Sequence, residues 1–174
     1  LDPSALAWAK GSHEEFPPAH GHGQINPVGG DLRSVVLESG RHWVDIDPYG
    51  SPVPFIDTAI QSLARSSVIE VSATDTAALT GSSRRPLLRR YGARVRTDRL
   101  AHDSGLRVLL ATVARAAARH DRAIEPLLSV WDSHHLRVST RVIRSVEAAN
   151  RVEDGLGWRV HTPTAEEVGA SMAS

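Results

Sequence analysis

At 174 residues the chain has room for one domain, and 41% hydrophobic with 23% charged residues is the balance of a globular chain that can bury a core. It has no cysteine, which excludes disulfides, thiolate metal sites, iron–sulfur clusters and cysteine nucleophiles, and leaves a reducing cytoplasm as the default compartment. Twenty basic and twenty acidic residues cancel, yet nineteen of the basic ones are arginine, and seven of those crowd between Arg84 and Arg99 beside the single Asp98, a local charge of +6. Such a stretch is either a phosphate-binding segment or a solvated face of an arginine-rich chain.

In chain order, Asp2-Pro3 ahead of Ser4 to Ala9 predicts an N-cap, a proline in the first turn and a short helix that Gly11 and Pro17-Pro18 end. Residues 11 to 30 hold five glycines, three prolines and three histidines, the composition of a loop. Leu1 in place of methionine, with neither a basic start nor an apolar run behind it, argues against a signal peptide and reads as a piece cut from a longer chain. Leu32 to Glu38 predicts a short helix, and Trp43 to Asp47 a strand that runs straight into Pro48-Tyr49-Gly50. Pro52 and Pro54 open a helix with Phe55, Ile56, Ala59, Ile60 and Leu63 at helical spacing.

Val68 to Ala73 is a second strand, stopped by Thr74-Asp75-Thr76, and the arginine segment follows at once. A long amphipathic helix is expected from Asp98 to His120, too interrupted by Arg107 and Arg115 to cross a membrane. Ile124 to Trp131 and Leu136 to Ile143 form two strands joined by Asp132 to His135, an antiparallel hairpin. Beyond Arg144 a linker, a short strand at Trp158 to His161 and a small-residue tail are expected. Strand, helix, strand, long helix and hairpin make the C-terminal half of a doubly wound α/β sheet with a reversed last strand. Ligands of such sheets sit beyond the carboxyl ends of the strands, where Asp47 to Gly50, Thr74 to Thr76 and the start of the arginine segment all converge.

Asp47-Pro48-Tyr49-Gly50 at a strand end is the most informative tetrapeptide. As a bare turn it needs no further explanation. It also resembles the (Asp/Asn)-Pro-Pro-aromatic motif of S-adenosylmethionine-dependent enzymes that methylate the exocyclic amines of bases. A base's amino lone pair is delocalised into the ring and becomes nucleophilic only when acceptors hold its hydrogens and aim the lone pair at the methyl donor. The Asp47 carboxylate and the Pro48 carbonyl can serve as those acceptors, Tyr49 can stack on the base, and Gly50 lets the backbone approach.

The longer run from Asp45 to Asp57 resembles the signature of the tRNA (guanine26-N2)-dimethyltransferase family of archaea and eukaryotes. Ala73 to Ala77, Arg90-Tyr91-Gly92-Ala93, His102-Asp103 with Leu106-Arg107, Ile124 to Ser129 and Arg137-Val138 agree with it in order, so that the resemblance covers about residues 1 to 144. It implies a partial Rossmann-like class I S-adenosylmethionine-dependent methyltransferase sheet ending in an antiparallel hairpin, over residues 1–144, with 145–174 a linker and the start of a truncated C-terminal region. It implies Asp47, Pro48, Tyr49 and Gly50 as the catalytic loop that holds the guanine amine. Asp31 and the backbone of Leu32 become contacts to the cofactor's adenine, and tRNA becomes the partner, bound by Arg84, Arg85, Arg89, Arg90, Arg94 and Arg96. No metal is called for, because the sulfonium is already activated, and no membrane partner is expected. The family's first strands and methionine-binding loop would lie upstream of Leu1, so that the Trp43 to Asp47 edge would be unpaired and the chain alone would hold S-adenosylmethionine weakly or not at all and is expected to be inactive by itself.

Competing readings are an amino-methyltransferase for another RNA or DNA base, and a non-catalytic fragment that only binds RNA. His13, Glu14, Glu15, His20 and His22 read as solvated side chains of a loop rather than metal ligands. His134 and His135 fall in the hairpin turn, where neighbouring side chains diverge. Asp75 is either a helix cap or a wall of the base pocket. Trp8, Trp43, Trp131 and Trp158 are expected in core or interface packing.

Overall fold

The computed structural model describes residues 3–16, 26–37 and 40–162. Helix α1 (Pro3–Glu15) is followed by α2 (Leu32–Val36), β1 (Arg41–Ile46), α3 (Val53–Ser62), β2 (Leu63–Ala73), α4 (Thr76–Leu79), α5 (Arg84–Tyr91), α6 (Ala101–Ala118), β3 (Arg122–Asp132), β4 (His135–Arg144) and α7 (Val146–Asn150), then a 3₁₀ turn at Glu153–Gly155. The four strands form one sheet in the order β1-β2-β4-β3. β1 and β2 run parallel, and β4 is antiparallel to both of its neighbours. This is the mixed α/β sheet with a reversed last strand that the pattern of elements predicts, and β1 lies at its edge as expected.

Alternation along the strands decides which face is covered. Val44, Ile46, Ile69, Val71, Val138 and Val142 share one face and are buried under α3 and α6 through Ile56, Ile60, Leu109 and Val113. The Cβ of any residue at 105 would stand 3.0 Å from the Leu136 side chain and 3.1 Å from the Leu79 carbonyl oxygen, so Gly105 is what lets α6 lie close to α4 and the start of β4. On the opposite face Arg137 of β4 spans two strands, donating to Asp45 of β1 at 2.7 Å, to Glu70 of β2, and to Ser72 Oγ at 3.0 Å. Pro126, which cannot donate to a ladder, sits on the edge strand β3 beside a bulge between Pro126 and Leu128.

Several elements depart from the sequence reading. α1 runs through Gly11 to Glu15 and buries none of its residues; its expected cap, Asp2, lies outside the described residues. β2 begins at Leu63, not Val68, because α3 passes into the strand without a loop: Leu63 is already extended (φ −71, ψ 144) and its N–H caps Ile60. The segment after Arg144 contains α7, capped by the Ser145 side chain and packed on α6 and β3. Trp158 to His161 is irregular rather than a strand, with Arg159 reaching Asp98 and Ser104. None of the four tryptophans is in the core: Trp8 and Trp158 are exposed, Trp43 points away from the buried face of β1, and Trp131 stacks on His102 with ring centroids 3.8 Å apart.

Candidate active site

β1 ends at Ile46 and hands the chain to Asp47, Pro48, Tyr49 and Gly50 at the carboxyl rim of the sheet. Gly50 turns the chain with a positive φ of 83°, a conformation that glycine adopts without strain. Two bonds tie this turn to the neighbouring strand end: the Gly50 N–H donates to Thr74 Oγ1 at 2.6 Å and the Thr74 N–H donates to the Gly50 carbonyl at 3.0 Å. The loop is therefore fixed at its base, while its two candidate side chains are held out. The Asp47 side chain is 55% exposed and Tyr49 is fully exposed.

The second rim carboxylate meets a different fate. Asp75 stands at the N-cap position of α4 but makes no side-chain capping bond. It accepts instead from the Tyr91 hydroxyl at 2.7 Å and from Arg90 at 3.0 Å, and its side chain is only 9% exposed. Tyr91 also meets Ser51 Oγ at 2.9 Å, so Ser51, Tyr91, Asp75 and Arg90 form one chain of bonds from the β1 turn to the arginine helix. Burial pushes the Tyr91 phenol well above its usual range, with the Asp75 charge adding to the effect and the Ser51 bond opposing it. Asp75 thus joins the rim loop to α5 and is not a side-chain cap.

The arginine segment divides into α5 and the irregular stretch that follows it. Arg84, Arg85, Arg89 and Arg94 are exposed, Arg90 is engaged by Asp75, and Arg96 lies 3.9 Å from Asp98. Asp31 caps α2 by accepting from the Arg33 N–H at 2.9 Å, and the Arg33 guanidinium closes on the same carboxylate at 2.6 Å. These two bonds hold Asp31 down at a pKa of about 2. The Leu32 N–H, first in the helix, has no acceptor among the described residues, as the opening turn of a helix leaves its donors.

Among the described residues no three His, Asp or Glu side chains come together to hold a metal ion. His13, Glu14 and Glu15 end α1, while His20 and His22 lie outside the described residues. No described helix is long and apolar enough to cross a membrane. Two surface depressions, of about 340 and 440 Å³, lie away from the rim, around Arg115 and Glu153 and around Arg119 and Arg144. Sequence reasoning missed His135, whose ring reaches Asp47. Its signal is topological: β4 follows β2 in the sheet, which brings the start of β4 to the rim where β1 ends.

The family model described as N2,N2-dimethylguanosine tRNA methyltransferase matches residues 24–169. The chain belongs to this family. It is 40% identical over 135 residues to the tRNA (guanine(26)-N(2))-dimethyltransferase of Thermoplasma acidophilum, covering 78% of this chain and 39% of that protein. It is 42% identical over 132 residues to that of Aeropyrum pernix, covering 75% and 32% respectively. The structure of Trm1 from Pyrococcus horikoshii with S-adenosyl-L-methionine superposes with a TM-score of 0.77 at 28% identity, over 86% of this chain and 44% of that one. The family member described here thus spans two fifths or less of these two curated relatives.

Proposed function

We propose that this chain carries the base-accepting part of an S-adenosylmethionine-dependent enzyme that methylates the exocyclic N2 amine of guanine 26 in tRNA, first once and then twice. Residues 1–144 are assigned to the catalytic domain and 145–174 to the start of the C-terminal region. The observation that carries the reading is the Asp47 to Gly50 loop: a half-exposed carboxylate and an exposed aromatic at the carboxyl end of a parallel strand, in a chain of this family.

Asp47 accepts one hydrogen of the guanine amine and the Pro48 carbonyl the other, which turns the nitrogen lone pair toward the methyl donor. Tyr49, unburied and free to stack, packs on the base, and Gly50 and Thr74 fix the loop's base so that the acceptors are in place before the substrate arrives. Asp31 and Leu32 offer a carboxylate next to a backbone N–H that has no acceptor among the described residues, a pair that matches the amine and ring nitrogen of an adenine edge, so these residues would hold the cofactor's adenine once it displaces the exposed Arg33 guanidinium from Asp31. S-adenosylmethionine supplies, when bound, a methyl group already activated as a sulfonium. The amine inside a tRNA helix is reachable only if the base leaves its stack. Arg84, Arg85, Arg89 and Arg94 then hold phosphates beside the rim, while Arg90 and Arg96 belong to the same surface with part of their charge already paired.

The test is methyl transfer by the full-length protein that carries this segment to tRNA bearing guanine at position 26 and to the same tRNA with adenine there. Transfer to guanine alone supports the reading, and equal transfer to both points to a less selective base amino-methyltransferase. Salt-dependent tRNA binding with no transfer to either would favour an RNA-binding role.

A further inference from the structure

His135 opens β4 where that strand leaves the hairpin, and its ring reaches past the end of β2 to Asp47. Nε2 stands 3.4 Å from Asp47 Oδ1, within ion-pair range, yet it is buried and makes no aligned hydrogen bond. A buried ring nitrogen left without a partner is unfavourable, so a neighbour that can pair with it is the natural completion of the site. Among the described residues no other side chain is within ion-pair range of the Asp47 carboxylate. The His135 side chain as a whole is 39% exposed, so the exposed area belongs to the rest of the ring, and Nε2 is the end turned inward.

Resting on the methyltransferase reading, we propose that His135 is a positioning residue for Asp47. With the neutral ring protonated on Nε2, that N–H donates to Oδ1, fixes the plane of the carboxylate, and leaves Oδ2 to accept from the substrate amine. A carboxylate at the end of an edge strand, exposed on most sides, otherwise rotates through orientations that do not aim the amine, and the loss of aim slows transfer. The present separation is that of a bond which tightens when substrate fills the other oxygen, as hydrogen bonds in empty active sites commonly do. The neutral ring is the useful form, because an imidazolium would offset the carboxylate's charge and weaken it as an acceptor. Asp47 faces the ring from the end of β1, and Asp132 lies opposite His135 in the ladder. His134 adjoins it in the turn, and His102 of α6 stacks on Trp131 one ladder position away. At the end of β2 the nearest charged residue is Asp75, whose carboxylate is already taken by Tyr91 and Arg90.

The experiment is proton–nitrogen NMR of the imidazole rings of the 174-residue chain at one mildly alkaline pH, where imidazoles are neutral, with the His135 signal assigned from its loss in His135→Gln. The expected result is an Nε2-protonated tautomer for His135 whose population falls in Asp47→Asn. A different tautomer, or one unmoved by Asp47→Asn, would overturn the proposal. In the methyl-transfer assay, His135→Ala is expected to lower kcat about tenfold with KM for tRNA unchanged, and His135→Gln, which keeps a donor, to restore most of it. Equal loss in both variants, or a change in KM alone, would also overturn it. These transfer assays use the full-length enzyme that carries this segment; if that enzyme, unaltered, transfers no methyl group, the methyltransferase reading has failed instead, and the NMR tautomer of His135 still decides the pairing.

Discussion

β1 and β2 run side by side and both end at the same rim in a short polar turn with an aspartate, yet the two carboxylates do opposite work. Asp47 is more than half exposed with His135 as its one ion-pair neighbour among the described residues, whereas Asp75 is nearly buried and holds Tyr91 and Arg90. The chemistry of the residue is identical in the two places. What differs is competition: α5 presents a phenol and a guanidinium to Asp75, while among the described residues only His135, at the start of β4, comes within ion-pair range of Asp47. A carboxylate already spent on its own fold is structural, and one left with open lone pairs is free for a substrate.

Variants that move stability should follow that division. Asp75→Ala removes a charged acceptor from a nearly buried bond chain and is expected to cost about 2 kcal/mol, read as a melting temperature lower by about 4–8 °C. Tyr91→Phe leaves Asp75 with Arg90 alone and should cost about 1 kcal/mol in urea unfolding. Either variant melting like the unaltered chain would mean that the Ser51–Tyr91–Asp75 chain does not hold the rim. Arg89→Ala should leave stability unchanged but lower the slope of log affinity for tRNA against log salt by about one, because it removes one phosphate contact. Arg90→Ala should change that slope less, since its charge is partly committed to Asp75.

The smallest effect concerns pH. Asp31 has a folded pKa of about 2, below its ordinary 3.8, so the stabilisation it gives is fully present above about pH 4 and is lost as the pH falls toward 2. Thermal melts between pH 6 and pH 2 should therefore show the unaltered chain and Asp31→Asn converging at the acid end, and curves that stay parallel would contradict that contribution.

Much of this architecture was legible in residue order. The strand from Trp43, its Asp-Pro-Tyr-Gly turn and the proline-opened helix follow from alternation and local turn chemistry, as does the hairpin around Ser133-His134, and all four are present. The helix-to-strand passage at Leu63 was hidden because Leu63 continues the apolar spacing of α3, so periodicity alone extends the helix through it. The core half of the expectation for the tryptophans failed for a related reason: size and apolarity suggest a core, but strand alternation puts Trp43 on the outer face. Asp47 could be picked out by its motif. The commitment of Asp75 could not, because its partner Tyr91 lies sixteen residues on and meets it only once α5 folds back. His135 was likewise invisible until the strand order placed β4 next to β2.

The division of labour between the rim carboxylates is tested most directly by Asp47→Ala in the methyl-transfer assay of the full-length enzyme that carries this segment, with tRNA affinity and melting temperature measured on the same protein. The account predicts that transfer is abolished while affinity and melting temperature stay close to those of the unaltered protein. Near-normal turnover in Asp47→Ala would contradict it.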